Sequence, residues 1–271
     1  MTGCGAEPVQ LAGMTTAEAV QAFVEAQQGD GRRAYEQPPE RAADRLASAV
    51  LALGGGRRQE AERLAGELSY RVVELADALA LAPERIPDDR GWGLYVVQPD
   101  GADLAVEVPH PRADLETETL GALLAERVGA RYLLLAGAHR DAADEQADVA
   151  REAGSAFSVV HAALAGGRVP ALQLHGFAAG SLPGVDVVVS PGASELSALA
   201  RGVAEATELA GLQVCRAWQD SCGRLEGRSN AQGQASRDAG AAFVHLELTR
   251  DLRRADRRDE VLGALSRAIG L

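Results

Sequence analysis

The chain contains no lysine; all 27 of its Lys-plus-Arg side chains, in 271 residues, are arginines. A phosphate-cradling loop of the Gly-x-x-x-x-Gly-Lys-Ser/Thr type is therefore excluded. Aromatic residues make up only 4%, so the core has to be built mostly from Leu, Val and Ala. No apolar run is long enough to span a bilayer. A serine-nucleophile elbow, Gly-x-Ser-x-Gly, is also missing; Ser190-Pro191-Gly192 follows a predicted strand, but proline spoils that geometry. The net charge is -12, which argues against nucleic-acid binding because neutralising phosphates needs basic clusters. The densest basic run, Arg250, Arg253, Arg254, Arg257 and Arg258, is interleaved with Asp251 and Asp256 and followed by Asp259 and Glu260. It reads as a solvated helix face.

Cysteine is scarce, with three in the chain: Cys4, Cys215 and Cys222. Thr2-Gly3-Cys4 resembles the end of a bacterial lipobox, in which Cys4 would carry the lipid after a leader is removed. The remaining two have the parity for one disulfide, Cys215–Cys222, in an oxidising compartment. Their spacing is not Cys-x-x-Cys, which disfavours a thiolate zinc site. The implied location is extracytoplasmic, with any membrane association made through the lipid anchor.

Hydrophobic periodicity divides the chain into a tether (1–14), a helical segment (15–85) and an α/β domain (86–271). Ala43, Leu46, Ala47, Val50 and Leu51 follow the three-and-four spacing of an amphipathic helix, which Gly54-Gly55-Gly56 ends. A second helix is predicted over 57–79. Strands are then predicted at 93–98, 104–108, 132–136, 169–174, 185–189, 213–216 and 242–248, and helices at 119–128, 144–164, 193–209 and 258–269. Such interleaving implies a mixed, mostly parallel sheet covered by helices on both faces.

All five histidines follow residue 109, and most stand at or just past a predicted strand. In open α/β sheets that is where sites form. Three groups carry the chemistry. His110 ends a strand and is followed by Asp114, Glu116 and Glu118; His175 ends another and precedes Gly176; and 243–248 reads Phe-Val-His-Leu-Glu-Leu. Strand alternation puts Phe243, His245 and Glu247 on one face. A glutamate in so apolar a strand is costly unless it is paired or functional, and Arg140 or Arg250 could pair with it.

In their order and strand-end placement these groups resemble the zinc carboxypeptidases and the shorter poly-γ-glutamate hydrolases, over roughly residues 92–250. The resemblance implies a phosphorylase/hydrolase-like α/β fold binding Zn2+. It implies His110 and His175 as zinc ligands and Glu247 as the base that activates water. For the acidic ligand it implies Asp114, with Glu116 and Glu118 as alternatives. The chain departs from carboxypeptidases in having His-x-x-x-Asp where they have His-x-x-Glu, and in lacking an evident terminal-carboxylate arginine motif.

Arg140 follows a strand and is suited to holding a substrate carboxylate or a developing oxyanion. Candidate substrate contacts are His139, His161, Asn230, Gln232, His245 and Arg250. His161 also fits a hydrogen-bonded core position, since it shares an apolar helix row with Phe157, Val160 and Leu164. The expected activity is hydrolysis of an amide in a small-molecule, peptide, γ-glutamyl or cell-wall substrate. Two competing readings are a zinc amidase of the cell wall and a non-catalytic lipoprotein that binds a ligand or partner in the same crevice.

Overall fold

A computed structural model describes residues 9–28 and 34–270. Cys4, and the lipidation proposed for it, lie outside the described residues. The strands are β1 (Tyr70–Glu74), β2 (Leu79–Pro83), β3 (Leu94–Val97), β4 (Ala102–Val108), β5 (Ala130–Leu135), β6 (Ala171–Phe177), β7 (Val187–Ser190), β8 (Val214–Arg216) and β9 (Phe243–Thr249). They form one nine-stranded sheet in the order β1-β2-β3-β5-β4-β6-β9-β7-β8. The central β5, β4, β6 and β9 run parallel. β3 is antiparallel to β5, and β7 to β9.

Helices cover both faces. On one lie α1 (Thr16–Gln28), α4 (Thr117–Arg127), α6 (Ala198–Leu209) and α9 (Arg258–Ile269); on the other lie α2 (Glu40–Gly54), α3 (Arg58–Gly66), α5 (Ala156–Gly166) and α7 (Ala231–Ala239). A short α8 (Arg250–Arg253) follows β9. Strand alternation sorts the two cores. Val106, Leu172, Leu174, Val244, Leu246 and Leu248 face the first helix layer, and Ala105, Ala171 and Phe243 face the second. Each such fully buried Leu or Val contributes about 1.5–3 kcal/mol of transfer free energy. The expected mixed α/β fold with helices on both faces is the fold observed.

Several boundaries differ from the sequence reading. The segment 15–85 is not wholly helical. Its last part forms β1 and β2, an antiparallel pair that extends the main sheet through β3. In 57–79 the spacing Leu64, Leu68, Val72, Leu75 suits a helix, but Tyr70-Arg71-Val72-Val73 also suits a strand, and pairing along a sheet edge decides it. Residues 9–14 are not a free tether. Leu11 is fully buried, and the Val9 and Gly13 amides donate to Ile86 O and Glu74 O at 3.2 and 3.0 Å. The helix predicted over 144–164 begins only at Ala156. Ala143, Asp144 and Glu145 are left-handed, with φ of 49°, 54° and 66°, a conformation no right-handed helix passes through. Ser155 caps the true start by accepting from the Ser158 amide at 3.1 Å. Between the strands expected at 213–216 and 242–248 the chain also forms α7, capped by Asn230 and ended by Gly240 at φ 67°.

Cys215 on the edge strand β8 and Cys222 form the disulfide expected of them, across a sequence separation of 7. Closing so short a loop stabilises by about 2–3 kcal/mol, chiefly by restricting the unfolded chain. Cys215→Ser/Cys222→Ser should lower unfolding stability by that amount in urea titration. An unchanged midpoint would show that the bond is not a structural one.

Candidate metal centre

The order of the central strands fixes where a site can form. From β4 the chain crosses through α4 to β5 on one side, and from β5 it crosses back through α5 to β6 on the other side of β4. The two crossover helices lie on opposite faces, so a crevice opens past the carboxyl end of β4 at this switch point. His110 stands there, two residues beyond β4. A run of tight turns, Asp114 N to His110 O at 2.9 Å and Thr117 N to Asp114 O at 3.1 Å, coils Asp114 back beneath it. His175 comes from the end of β6, paired in register with Glu247 of β9.

His110, Asp114 and His175 converge, all buried, with one ligand atom from each within 4.8 Å of the others. Asp114 Oδ2 is 3.2 Å from His110 Nδ1 and 3.5 Å from His175 Nδ1. The outer ring nitrogens are occupied: His110 Nε2 lies 2.8 Å from Asp148 Oδ1, and His175 Nε2 lies 2.7 Å from Gln173 Oε1. An ionised carboxylate and an amide oxygen only accept, so both Nε2 atoms carry hydrogen. The Arg140 guanidinium, which only donates, approaches His110 Nδ1 at 3.4 Å. Both Nδ1 atoms therefore face the Asp114 carboxylate, an arrangement that requires a proton or a metal cation between them. Two imidazole nitrogens and one carboxylate oxygen can hold a metal ion and leave a coordination position open.

The charges agree with this. Burial would raise the Asp114 pKa, but hydrogen bonds to His110 and His175 outweigh it and hold the carboxyl well below its usual range. Burial, then the neighbouring His245, pushes His175 down to about 4, so its lone pair is free at neutral pH. For His110 burial is overcome by the carboxylates of Asp114 and Asp148, and its pKa rises. A cation there competes with a proton for Nδ1.

Beside these three residues is a polar cleft of about 210 Å³, lined among others by Arg140, Arg151, Arg224, Asn230, His245 and Glu247. Glu247 is 9% exposed, and its Oε2 has no hydrogen-bond partner. Its Oε1 is 3.5 Å from His245 Nε2. His245 lies against the His175 ring, centroids 4.3 Å apart, and its Nδ1 also lacks a partner. Gly227 makes room for that ring: a Cβ there would stand 2.7 Å from it, on a backbone at φ 61° that disfavours side chains. Glu247 and His245 both line the cleft, and each carries a buried polar atom without a hydrogen-bond partner, a feature that calls for an explanation in a folded protein.

Not every residue singled out in the sequence reaches the cleft. Of the three acidic candidates, Asp114 is the one that joins the two histidines. Glu118 turns back to accept from the Arg112 amide at 3.4 Å, and Glu116 sits at the left-handed start of α4. His161 is 1% exposed and bonded to Glu107 and Ser236, a core histidine and not a substrate contact. Gln232 is fully buried, with its amide spent on Val149 O and Ser158 Oγ. Asn230 borders the cleft, but both ends of its amide are engaged, by Gly233 N and Gln173 Oε1. His139 is held with Asp141 outside the cleft lining. Arg250 points to solvent. Arg140 donates to Asp148 Oδ2 at 2.8 Å.

Other residues went unread in the sequence. Asp148 was hidden inside a predicted helix, and only the left-handed turns before it bring it to His110. Arg253, 4% exposed, is the arginine of the basic run that turns inward. It donates to Leu115 O, bracing the loop that carries Asp114. Gly176 is small for its sake, since a Cβ there would stand 2.3 Å from the guanidinium. The strand continues through Gly176 to Phe177, so it does not serve as a turn. Glu107 and Gln173 carried the same signal as Glu247, a polar residue inside an apolar strand.

No family model and no curated protein matches the chain. Two solved structures share part of its outline. One is YndL in an apo, zinc-free form: TM-score 0.45, 13% identity, 68% of this chain and 92% of that one. The other is a bacteriophage poly-gamma-glutamate hydrolase: TM-score 0.44, 12% identity, 64% of this chain and 86% of that one. At these values neither says anything of residues or chemistry here.

Asp148→Asn tests the outer contacts of the centre. The isosteric amide can turn its NH2 toward His110 Nε2 and loses the charge that pairs Arg140. Zinc affinity, read by chelator competition, should fall about 10- to 100-fold with little change in melting temperature. Equal affinity would show that Asp148 does not set the His110 tautomer.

Proposed function

We propose that this chain is a zinc-dependent hydrolase of amide bonds, with His110, Asp114 and His175 holding the metal and Glu247 acting as general base. The observation that carries this is the convergence of His110, Asp114 and His175 beside a cleft that Glu247, with an unpartnered buried carboxylate oxygen, also lines. Tetrahedral zinc ligands at about 2.0–2.1 Å stand roughly 3.3 Å from one another; Asp114 Oδ2 lies 3.2 and 3.5 Å from the two imidazole nitrogens. The resemblance of the sequence motifs to poly-γ-glutamate hydrolases points the same way.

Zinc bound there supplies a Lewis acid for the scissile carbonyl and acidifies water at neutral pH. Glu247 Oε2, with no competing bond, takes the proton of the attacking water and passes it to the leaving nitrogen. His245 sits beside Glu247 on the same strand face, its Nε2 3.5 Å from Oε1. Arg140, pinned by Asp148, is placed to steady negative charge that develops on the carbonyl oxygen. Arg140, Arg151 and Arg224 border the cleft of an otherwise acidic protein, which favours a carboxylate-bearing substrate such as a γ-glutamyl or cell-wall peptide. Such a substrate suits a protein outside the cytoplasm, and the Cys215–Cys222 disulfide fits an oxidising compartment. Lipid attachment at Cys4 belongs to the same proposal and rests on the Thr2-Gly3-Cys4 sequence alone.

Purified protein should contain one zinc per chain. Chelation should abolish hydrolysis of γ-glutamyl or cell-wall peptides, and added zinc should restore it. Glu247→Gln should keep the metal and lose about 10²- to 10⁴-fold in kcat, whereas His175→Ala should lose both. A protein that binds no zinc, or Glu247→Gln with full activity, overturns the assignment.

A further inference from the structure

Beneath the cleft a row of polar side chains crosses the sheet, and of these only His245 enters the mechanism above. Glu107, Gln173 and His245 lie in register on neighbouring strands β4, β6 and β9. Glu107, Gln173 and Gln232 are fully buried, and His161 nearly so. Burying so many polar groups is costly unless every bond is made.

Gln173 uses its whole capacity. Its Oε1 meets His175 Nε2 at 2.7 Å and accepts from Asn230 Nδ2 at 2.6 Å. Its Nε2 donates to Glu107 Oε2 at 2.9 Å and to Gln232 Oε1 at 3.1 Å. An amide can in principle be turned end for end, but here the main chain forbids it. Asn230 Oδ1 is committed to the Gly233 amide at 2.9 Å, so its Nδ2 must face Gln173. Gln232 Nε2 is committed to the Val149 carbonyl at 2.8 Å, so its Oε1 must face Gln173. Glu107 is held from its other oxygen by His161 Nδ1 at 2.6 Å, and His161 by Ser236 at 3.0 Å. Turning Gln173 would set NH2 against NH2 on one side and oxygen against oxygen on the other.

We infer that Gln173 is a positioning residue that locks the Nε2–H tautomer of His175, and that two backbone groups at the start of α7 and at Val149, acting through Asn230 and Gln232, set its direction. The importance of this tautomer for metal binding rests on the zinc reading above; the tautomer itself does not. The chain thus aims the Nδ1 atom of a metal ligand through residues outside the His110, Asp114 and His175 cluster. It also accounts for the α7 cap, since Asn230 serves helix and histidine at once.

The test uses Asn230→Asp and Gln173→Met. Aspartate still caps α7, but it replaces the donor facing Gln173 with an acceptor and so favours the turned amide. Methionine keeps the volume and removes the acceptor. In metal-free wild-type protein, ¹⁵N–¹H spectra of His175 should show hydrogen on Nε2. Both variants should shift it toward Nδ1 and weaken zinc binding about 10- to 100-fold. Folding is checked by melting temperature. Hydrogen on Nδ1 in the wild type, or an unchanged tautomer in a folded variant, overturns the inference. A wild type with the expected tautomer that binds no zinc would remove the metal reading alone and leave the lock standing.

Discussion

Asp114 Oδ2 lies between two imidazole nitrogens, 3.2 Å from one and 3.5 Å from the other, in a place closed to solvent. Both nitrogens are turned to it by hydrogen bonds made on their far sides, to Asp148 and Gln173. A carboxylate facing two imidazole nitrogens needs a proton or a metal cation between them, and much of the surrounding structure serves to hold the three groups together. The turns after β4, the Arg253 brace on Leu115 O, and the side chain missing at Gly176 all position the loop that carries Asp114.

The sheet divides the labour between its two faces. Residues pointing to the α1/α4/α6/α9 side are almost uniformly aliphatic and carry the hydrophobic core. On the opposite side the same strands pass from apolar to polar toward their carboxyl ends: Phe243, His245, Glu247 on β9, and Ala171, Gln173, His175 on β6. The cost of burying the middle of that gradient is offset by a completed network anchored on the main chain of α7 and Val149. Its outer end is left incomplete at Glu247 Oε2 and His245 Nδ1, where a ligand can complete it.

Much of this was legible in one dimension because strands have a period of two. Alternation in 243–248 put His245 and Glu247 on the face opposite Leu246, and histidines at strand ends pointed to the crevice of an α/β sheet. The same rule applied to Glu107 and Gln173 would have exposed the network, since a polar residue inside an apolar strand is the signal in each case. Residues 144–155 were unreadable for a different reason. Their composition suits a helix, and nothing local announces three successive left-handed residues. Residues 70–83 fit both periods, and the edge of an existing sheet chose the strand.

What the sequence determined by itself is the material of the site: which strands are apolar, which of their ends bear imidazole or carboxylate, and that one disulfide pair remains available. Tertiary structure alone decided the partners. Asp114 over Glu116 and Glu118, Arg253 over Arg250, and Asp148 from an unexpected turn were selected by which side chains reach one point when strands far apart in the chain lie side by side. Periodicity is local and so is written in the sequence; convergence depends on strand order and on the direction in which each loop leaves its strand, which are fixed only when the whole sheet has formed.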